Sequence, residues 1–225
     1  MTGLRFDHYD WAGRREAMLR FGSGNGPLVL AALPLFEEAN RTRHFVVTIL
    51  RTLAARGLDA VLPDLPGTGE SLVETRDARL SDQRAAFAAL AASLDRPVYA
   101  VSLRSGVLFD ADAALAGRWH LAPQPGADLL RDLNRTRALA PPAAQPGPSE
   151  FAGNLLSPLM LEELQVAQPE TSGSVRTIRL DTDPRPADAT VPGAPLWRRA
   201  EPGTDAPLAL RLADDIAAWI AACEA

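Results

Sequence analysis

Arg96-Pro-Val-Tyr-Ala-Val-Ser-Leu-Arg-Ser-Gly106 decides how this chain is read. Its apolar half reads as a buried strand. The window Ser-Leu-Arg-Ser-Gly at 102–106 reads as a sharp turn leading into a helix. The spacing, small-x-tip-x-small, belongs to a turn that presents its tip side chain as a nucleophile at the mouth of a sheet. The tip here is Arg104. A guanidinium is permanently charged and cannot attack an acyl carbon. The layout announces covalent chemistry, but the residue that would perform it is missing.

Strands and helices alternate around this stretch, which predicts a doubly wound, mostly parallel α/β sheet covered on both faces. Residues 6–11 and 15–21 read as opening strands, 22–27 as a turn cluster and 28–33 as a continuous apolar central strand. A loop at 34–40 precedes a helix at about 42–56, where Phe45, Ile49 and Leu53 share one face. A strand at 59–65 leads into a glycine-rich turn, and Ser81 is placed as the N-cap of a helix running to about 94. The turn at Arg104 and its helix are followed by a strand at 118–122. From about 123 to 174 the alternation breaks. A helix at 128–137, a proline-rich connector at 141–148 and a helix at 157–167 (capped by Ser157, with Pro158 first in the helix) read as a small helical cap inserted in a single domain of residues 1–225. Val175–Leu180 returns to strand, 181–192 is a loop, 195–200 a last strand and Ala206–Cys223 the closing helix.

Composition removes several classes of function. A net charge of −5 gives no reason to expect nucleic acid or an anionic membrane as partner. No apolar run reaches the roughly 20 residues of a membrane span, and the N-terminus lacks the apolar stretch of a signal peptide, so cytoplasmic residence is expected. One cysteine, Cys223, permits neither a disulfide framework nor a cysteine-based metal site. All 23 basic residues are Arg, which removes both a GxxxxGK[ST] phosphate loop and Schiff-base chemistry on lysine. Gly67 and Gly69 do not form G-x-G-x-x-G, so no nicotinamide or flavin is expected. His8, His44 and His120 lack metal-ligand spacing, and no metal or other cofactor is expected.

Asp64-Leu-Pro-Gly-Thr-Gly-Glu-Ser71 after an apolar strand is similar to the D-x-x-G-x-G-x-S turn that follows the fourth strand of α/β hydrolases. Together with the window at 102–106, it makes the chain resemble that superfamily over nearly its whole length. Three segments resemble a narrower branch, the exosortase system-associated hydrolases linked with bacterial exopolysaccharide and protein-sorting loci. They are Leu35-Phe-Glu-Glu-Ala-Asn-Arg-Thr-Arg43, Leu103-Arg104 before Ser-Gly, and Trp119-His-Leu-Ala-Pro-Gln-Pro-Gly126. The resemblance implies acyl transfer by a nucleophile, an acid and a histidine in that chain order. The nucleophile position holds Arg104. The acid position, after Val175–Leu180, holds Asp181, with Asp183 close by. The base position, about 201–204, holds Glu-Pro-Gly-Thr, and no histidine follows His120.

Two functions follow. One is a degenerate α/β-hydrolase-like protein that acts as a non-catalytic ligand-binding or accessory module. The other is an ester or thioester hydrolase with an unconventional set around Ser102, Arg104 and His120, with Ser105 and Asp181 as further candidates. Chain order favours the first. Ser105 should point away from the tip, Ser102 should satisfy its hydroxyl locally, and His120 should lie within the sheet. The expected pocket joins Phe36, Glu37, Glu38 and Asn40, on the loop after the third strand, to Arg104 and Ser105. Three readings stand open there: a carboxylate–Arg104 ion pair, a solvated acidic turn favoured by a helix dipole, or an unpaired Arg104 that binds an anionic ligand. The ligand is an unidentified small molecule, anionic or acyl. The sequence identifies neither a partner nor an oligomeric state.

Overall fold

The computed structural model of the chain describes residues 3–22, 24, 27–137, 149–151 and 153–225. The proline-rich connector at 141–148 and part of the turn cluster at 22–27 lie outside them. In chain order the elements are β1 (Arg5–Trp11), β2 (Arg14–Phe21), β3 (Leu28–Ala32), α1 (Glu37–Ala55), β4 (Asp59–Pro63), α2 (Leu80–Ala92), β5 (Val98–Leu103), β6 (Gly117–Leu121), α3 (Gly126–Arg137), β7 (Ser149–Phe151), β8 (Asn154–Leu156), α4 (Pro158–Val166), β9 (Val175–Leu180), β10 (Ala189–Val191) and α5 (Ala206–Cys223). Eight strands form one sheet in the order β1-β2-β4-β3-β5-β6-β9-β10. β2 runs antiparallel to both neighbours and the other pairings are parallel. The expected doubly wound, mostly parallel sheet is therefore present. β7 and β8 make a separate antiparallel hairpin.

Two cores sandwich the sheet because successive side chains of a strand point to opposite faces. Along β5, Val98 and Ala100 join the core under α2, α3 and α4, while Tyr99, Val101 and Leu103 join the one under α1 and α5. β5 is buried at every position, as a central parallel strand must be. Phe45, Ile49 and Leu53 of α1 lie together in the second core.

Local chemistry sets the helix ends. Ser157 accepts from Met160 N at 3.1 Å to cap α4, and Asp205 accepts from Leu208 N at 2.9 Å to cap α5. Ser81 is not a cap. α2 starts one residue earlier, behind Arg79, and the Ser81 hydroxyl donates to Glu163 of α4 at 2.7 Å. Three further expectations are corrected. α1 begins at Glu37, so Glu37 and Glu38 occupy its first turn rather than a loop. The segment after β5 is a five-residue 3₁₀ turn, Arg104–Leu108, rather than a full helix. The last strand is Ala189–Val191, and Leu196–Arg198 inside the expected strand is a 3₁₀ turn.

One close approach positions the region of interest. A Cβ on Gly106 would lie 2.6 Å from the carbonyl oxygens of both Ala32 and Leu33. The turn after β5 thus rests directly on the end of β3. We predict that Gly106→Ala costs about 1–3 kcal/mol through overpacking, seen as a lower urea midpoint at unchanged m-value. An unshifted midpoint would mean that the two backbones are not in this contact.

Candidate functional site

The turn holds Arg104 in a left-handed conformation, φ 52°. A non-glycine residue there is sterically strained by about 1–3 kcal/mol. Ser105 follows, and its hydroxyl accepts from Leu35 N at 2.9 Å. This bond stitches the loop after β3 to the turn and occupies a backbone donor of the loop that borders it. Ser105 is fully buried, so its hydroxyl has a structural partner and no access to solvent. Phe36, the residue before α1, is strained as well, with φ 58° and ψ −134°.

That strained entry places Glu38 opposite the tip. Arg104 Nε donates to Glu38 Oε2 at 3.0 Å and Nη2 donates to Oε1 at 3.2 Å, a two-pronged contact. Asp132 of α3 is a more distant second carboxylate, 3.9 Å from Nη2. The guanidinium also stacks on the Trp197 ring, 5.1 Å from its centroid. Arg104 is only 5 % exposed. Burial raises the Glu38 pKa above the usual carboxylate range, with the adjacent guanidinium pulling the other way. Glu37 makes no ion pair among the described residues, and Asn40 points away into another cavity.

Beside Arg104 opens a cleft of about 370 Å³ at the carboxyl ends of β5, β6 and β9. Its charges alternate: Arg131, Arg185 and Arg198 against Asp128, Asp132 and Asp183. Arg131 pairs with Asp128 at 2.9 Å, and Arg185 with Asp183 at 2.7 Å. Arg185, aided by Arg179, holds Asp183 well below the usual carboxylate range against the opposing effect of burial. Asp181, the expected acid, is exposed and does not line this cleft; Asp183, two residues on, does and pairs with Arg179 and Arg185. Of the expected pocket residues, Arg104 lines this cleft, with Glu38 gripping it from behind. Phe36, Glu37 and Ser105 line neither this cleft nor the cavity at Asn40. Gln124, Trp197 and the three cleft arginines had no sequence signal, since they come from loops and helices far apart in the chain. The loop from β10 to α5, residues 192–205, contains no histidine, and Trp197 stands beside the tip.

Ser102 and His120 do come together, but around a third residue. Ser102 Oγ donates to Asp110 Oδ2 at 3.1 Å, and His120 Nε2 lies 3.2 Å from the same oxygen. Arg118 Nε donates to Asp110 Oδ1 at 3.3 Å. Ser102 and Asp110 are 0 % exposed, His120 is 1 % and Arg118 is 8 %. Each group binds Asp110 rather than forming a Ser–His pair, and the cluster lies under the sheet, away from the cleft. Asp110 was not foreseen. The signal was faint: Arg118 and His120 alternate on β6, share a face with Ser102, and need a buried anion. Among the described residues no group of three or more His, Cys, Asp or Glu is placed to hold a metal ion, and no helix is long and apolar enough to cross a membrane.

Two measurements follow from this geometry. In a double-mutant cycle, Arg104→Met and Glu38→Gln should couple by about 0.5–3 kcal/mol, while Arg104→Met and Glu37→Gln should be additive. Additivity for both pairs would dissolve the contact. The raised pKa of Glu38 means that the folded chain binds its proton more tightly than the unfolded chain does. The Glu38 contribution to stability therefore falls as pH rises from the ordinary Glu range through the raised folded value. Stability curves of the wild type and Glu38→Gln should diverge in that sense between these two values, and parallel curves would contradict it.

A scan against protein-family profiles finds no match, and a search of curated protein sequences finds none. Solved structures do match. Est1E from Butyrivibrio proteoclasticus, solved with ferulic acid bound, aligns over 96 % of this chain and 99 % of its own, with a TM-score of 0.66 at 14 % identity. The thioesterase domain from the curacin biosynthetic pathway aligns over 96 % of this chain and 99 % of its own, with a TM-score of 0.59 at 13 % identity. At such identities the likeness concerns fold alone, and with the strand order it shows that this chain has the α/β-hydrolase fold.

Proposed function

We propose that this chain is a non-catalytic α/β-hydrolase-like protein that binds a small anionic ligand in the cleft beside Arg104. The observation that carries the reading is the residue at the tip of the turn, a guanidinium bonded through two nitrogens to Glu38. Nothing at that point can attack a carbonyl carbon. The hydroxyls on either side are occupied and buried, Ser102 by Asp110 and Ser105 by Leu35 N. A serine nucleophile needs an adjacent base; Ser105 bonds only to Leu35 N among the described residues, and Ser102 shares the Asp110 carboxylate with His120 and Arg118 rather than bonding to the imidazole. Besides Arg104 the cleft offers three arginines at its walls, and Arg198 makes no ion pair among the described residues. A carboxylate or phosphate is the ligand such a wall favours. The alternative, ester or thioester hydrolysis, would require Ser102 or Ser105 to leave these partners.

We read residues 1–225 as one domain in which about 123–174 form a cap. Support comes from Gln124 and Asp132, which meet the turn: Gln124 N donates to Arg104 O at 3.2 Å, and Asp132 approaches its guanidinium. The three segments resembling exosortase system-associated hydrolases support an accessory role in such a system. Two of them, 35–43 and 103–106, include Glu38 and Arg104 themselves.

The test is a short-chain p-nitrophenyl ester assay on purified protein, together with labelling by a fluorophosphonate probe. Neither turnover nor labelling above background is expected. A signal that disappears in Ser102→Ala or Ser105→Ala would establish the hydrolase instead.

A further inference from the structure

A second cavity shares no lining residue with the cleft at Arg104. It measures about 270 Å³ and sits at the carboxyl ends of β3 and β4. Ala32, Pro34, Ala39, Leu65 and Phe109 give it apolar walls on part of its lining. Two polar side chains from one face of α1, Asn40 and Arg43, reach its rim. A chain of contacts fixes Arg43. Its Nη1 donates to Asp64 Oδ1 at 3.0 Å. Asp64 is itself 4 % exposed and accepts from Glu70 N at 3.1 Å through its other oxygen. Gly69, at φ +54°, lets the glycine-rich turn close on that carboxylate, since a Cβ there would come within 2.2 Å of it. The D-x-x-G-x-G-x-S turn thus builds a clamp, and the clamp holds a guanidinium at the edge of an apolar hole.

The Nε and Nη2 groups of Arg43 make no hydrogen bond among the described residues. A guanidinium held by one nitrogen, with its other two nitrogens uncommitted beside a partly apolar cavity, matches a carboxylate head on an apolar body. The volume lies just under the ~300 Å³ at which drug-sized ligand pockets begin, which limits the body to a short chain. The exposed carboxylate of Glu70 also stands at the rim. It repels a dianion more than a monoanion, which disfavours phosphate and dicarboxylates.

We infer that this cavity binds a short-chain aliphatic monocarboxylate, with its carboxylate on Arg43 and its chain against Ala39 and Phe109. The site is independent of the cleft at Arg104. The experiment is isothermal titration of the full chain with hexanoate, 1-hexanol and inorganic phosphate. Hexanoate should bind at least about tenfold more tightly than either of the others, a difference of about 1.4 kcal/mol. Arg43→Gln should weaken hexanoate by a similar factor, and Ala39→Phe should block it by filling the hole. Arg198→Gln, in the other cleft, should leave it unchanged. Ala39→Phe and the hexanol comparison remain decisive if Arg43→Gln unfolds by stranding Asp64. Equal affinity for hexanoate and hexanol, undiminished binding in Ala39→Phe, or loss confined to Arg198→Gln would overturn the proposal. The last result would move the anion to the cleft and support the function proposed above instead.

Discussion

A buried guanidinium must find an anion or the chain around it must change, and Arg104 finds Glu38. Removing one partner from such a pair strands a charge at a cost of about 3–5 kcal/mol. The pair therefore constrains what surrounds it. It fixes the entry of α1, because Glu38 is in its first turn. It fixes the 3₁₀ turn after β10, because Trp197 covers the guanidinium and its carbonyl accepts from Arg41 of α1 at 3.1 Å. Asp132 brings α3 to the same point. Elements separated by more than a hundred residues meet on one side chain.

The backbone strain of the turn acquires a different meaning in this setting. A left-handed tip residue serves catalysis when it projects a nucleophile into a cleft. Here the same conformation projects a cation into a carboxylate. The strain at Arg104 and at Phe36 is offset by contacts that join two neighbouring loops, with the Ser105–Leu35 bond adding a third tie. Beneath the sheet, Asp110 performs a comparable task for the segment that replaces a full helix after β5. It gathers Ser102, Arg118 and His120, and Arg118 Nη2 also donates to the carbonyls of Asp110 and Ala113 at 3.1 and 3.2 Å. The short 3₁₀ turn is thus held by polar contacts where a helix would have held itself.

What the sequence disclosed was mainly what short-range physics determines. β9 and α5 were legible to the residue, because Val175–Leu180 carries the β-branched Val175, Thr177 and Ile178 and ends at turn residues, and Asp205 caps Ala206–Cys223. The Arg104 turn was legible from spacing alone. The start of α1 was not, since Phe36 offers no side-chain cap and nothing local separates a loop carrying Glu37 and Glu38 from a first helical turn. The last strand was displaced because Ala189–Val191 is three residues long and owes its strand character to pairing with β9. Trp197, Asp110 and the cleft arginines escaped for a related reason: their roles come from partners distant in sequence. An acidic loop facing Arg104 could be anticipated, but the choice of Glu38 over Glu37 depends on where the helix begins.

Nitrogen-15 NMR of the arginine side chains addresses the Arg104–Glu38 contact directly. One Nε–H resonance, assigned to Arg104, should exchange slowly with water because it is buried and bonded. It should be lost or averaged in Glu38→Gln and retained in Glu37→Gln. A rapidly exchanging Arg104 Nε–H in the wild-type protein, unaffected by Glu38→Gln, would show that the guanidinium is free and that the Arg104–Glu38 pair does not exist.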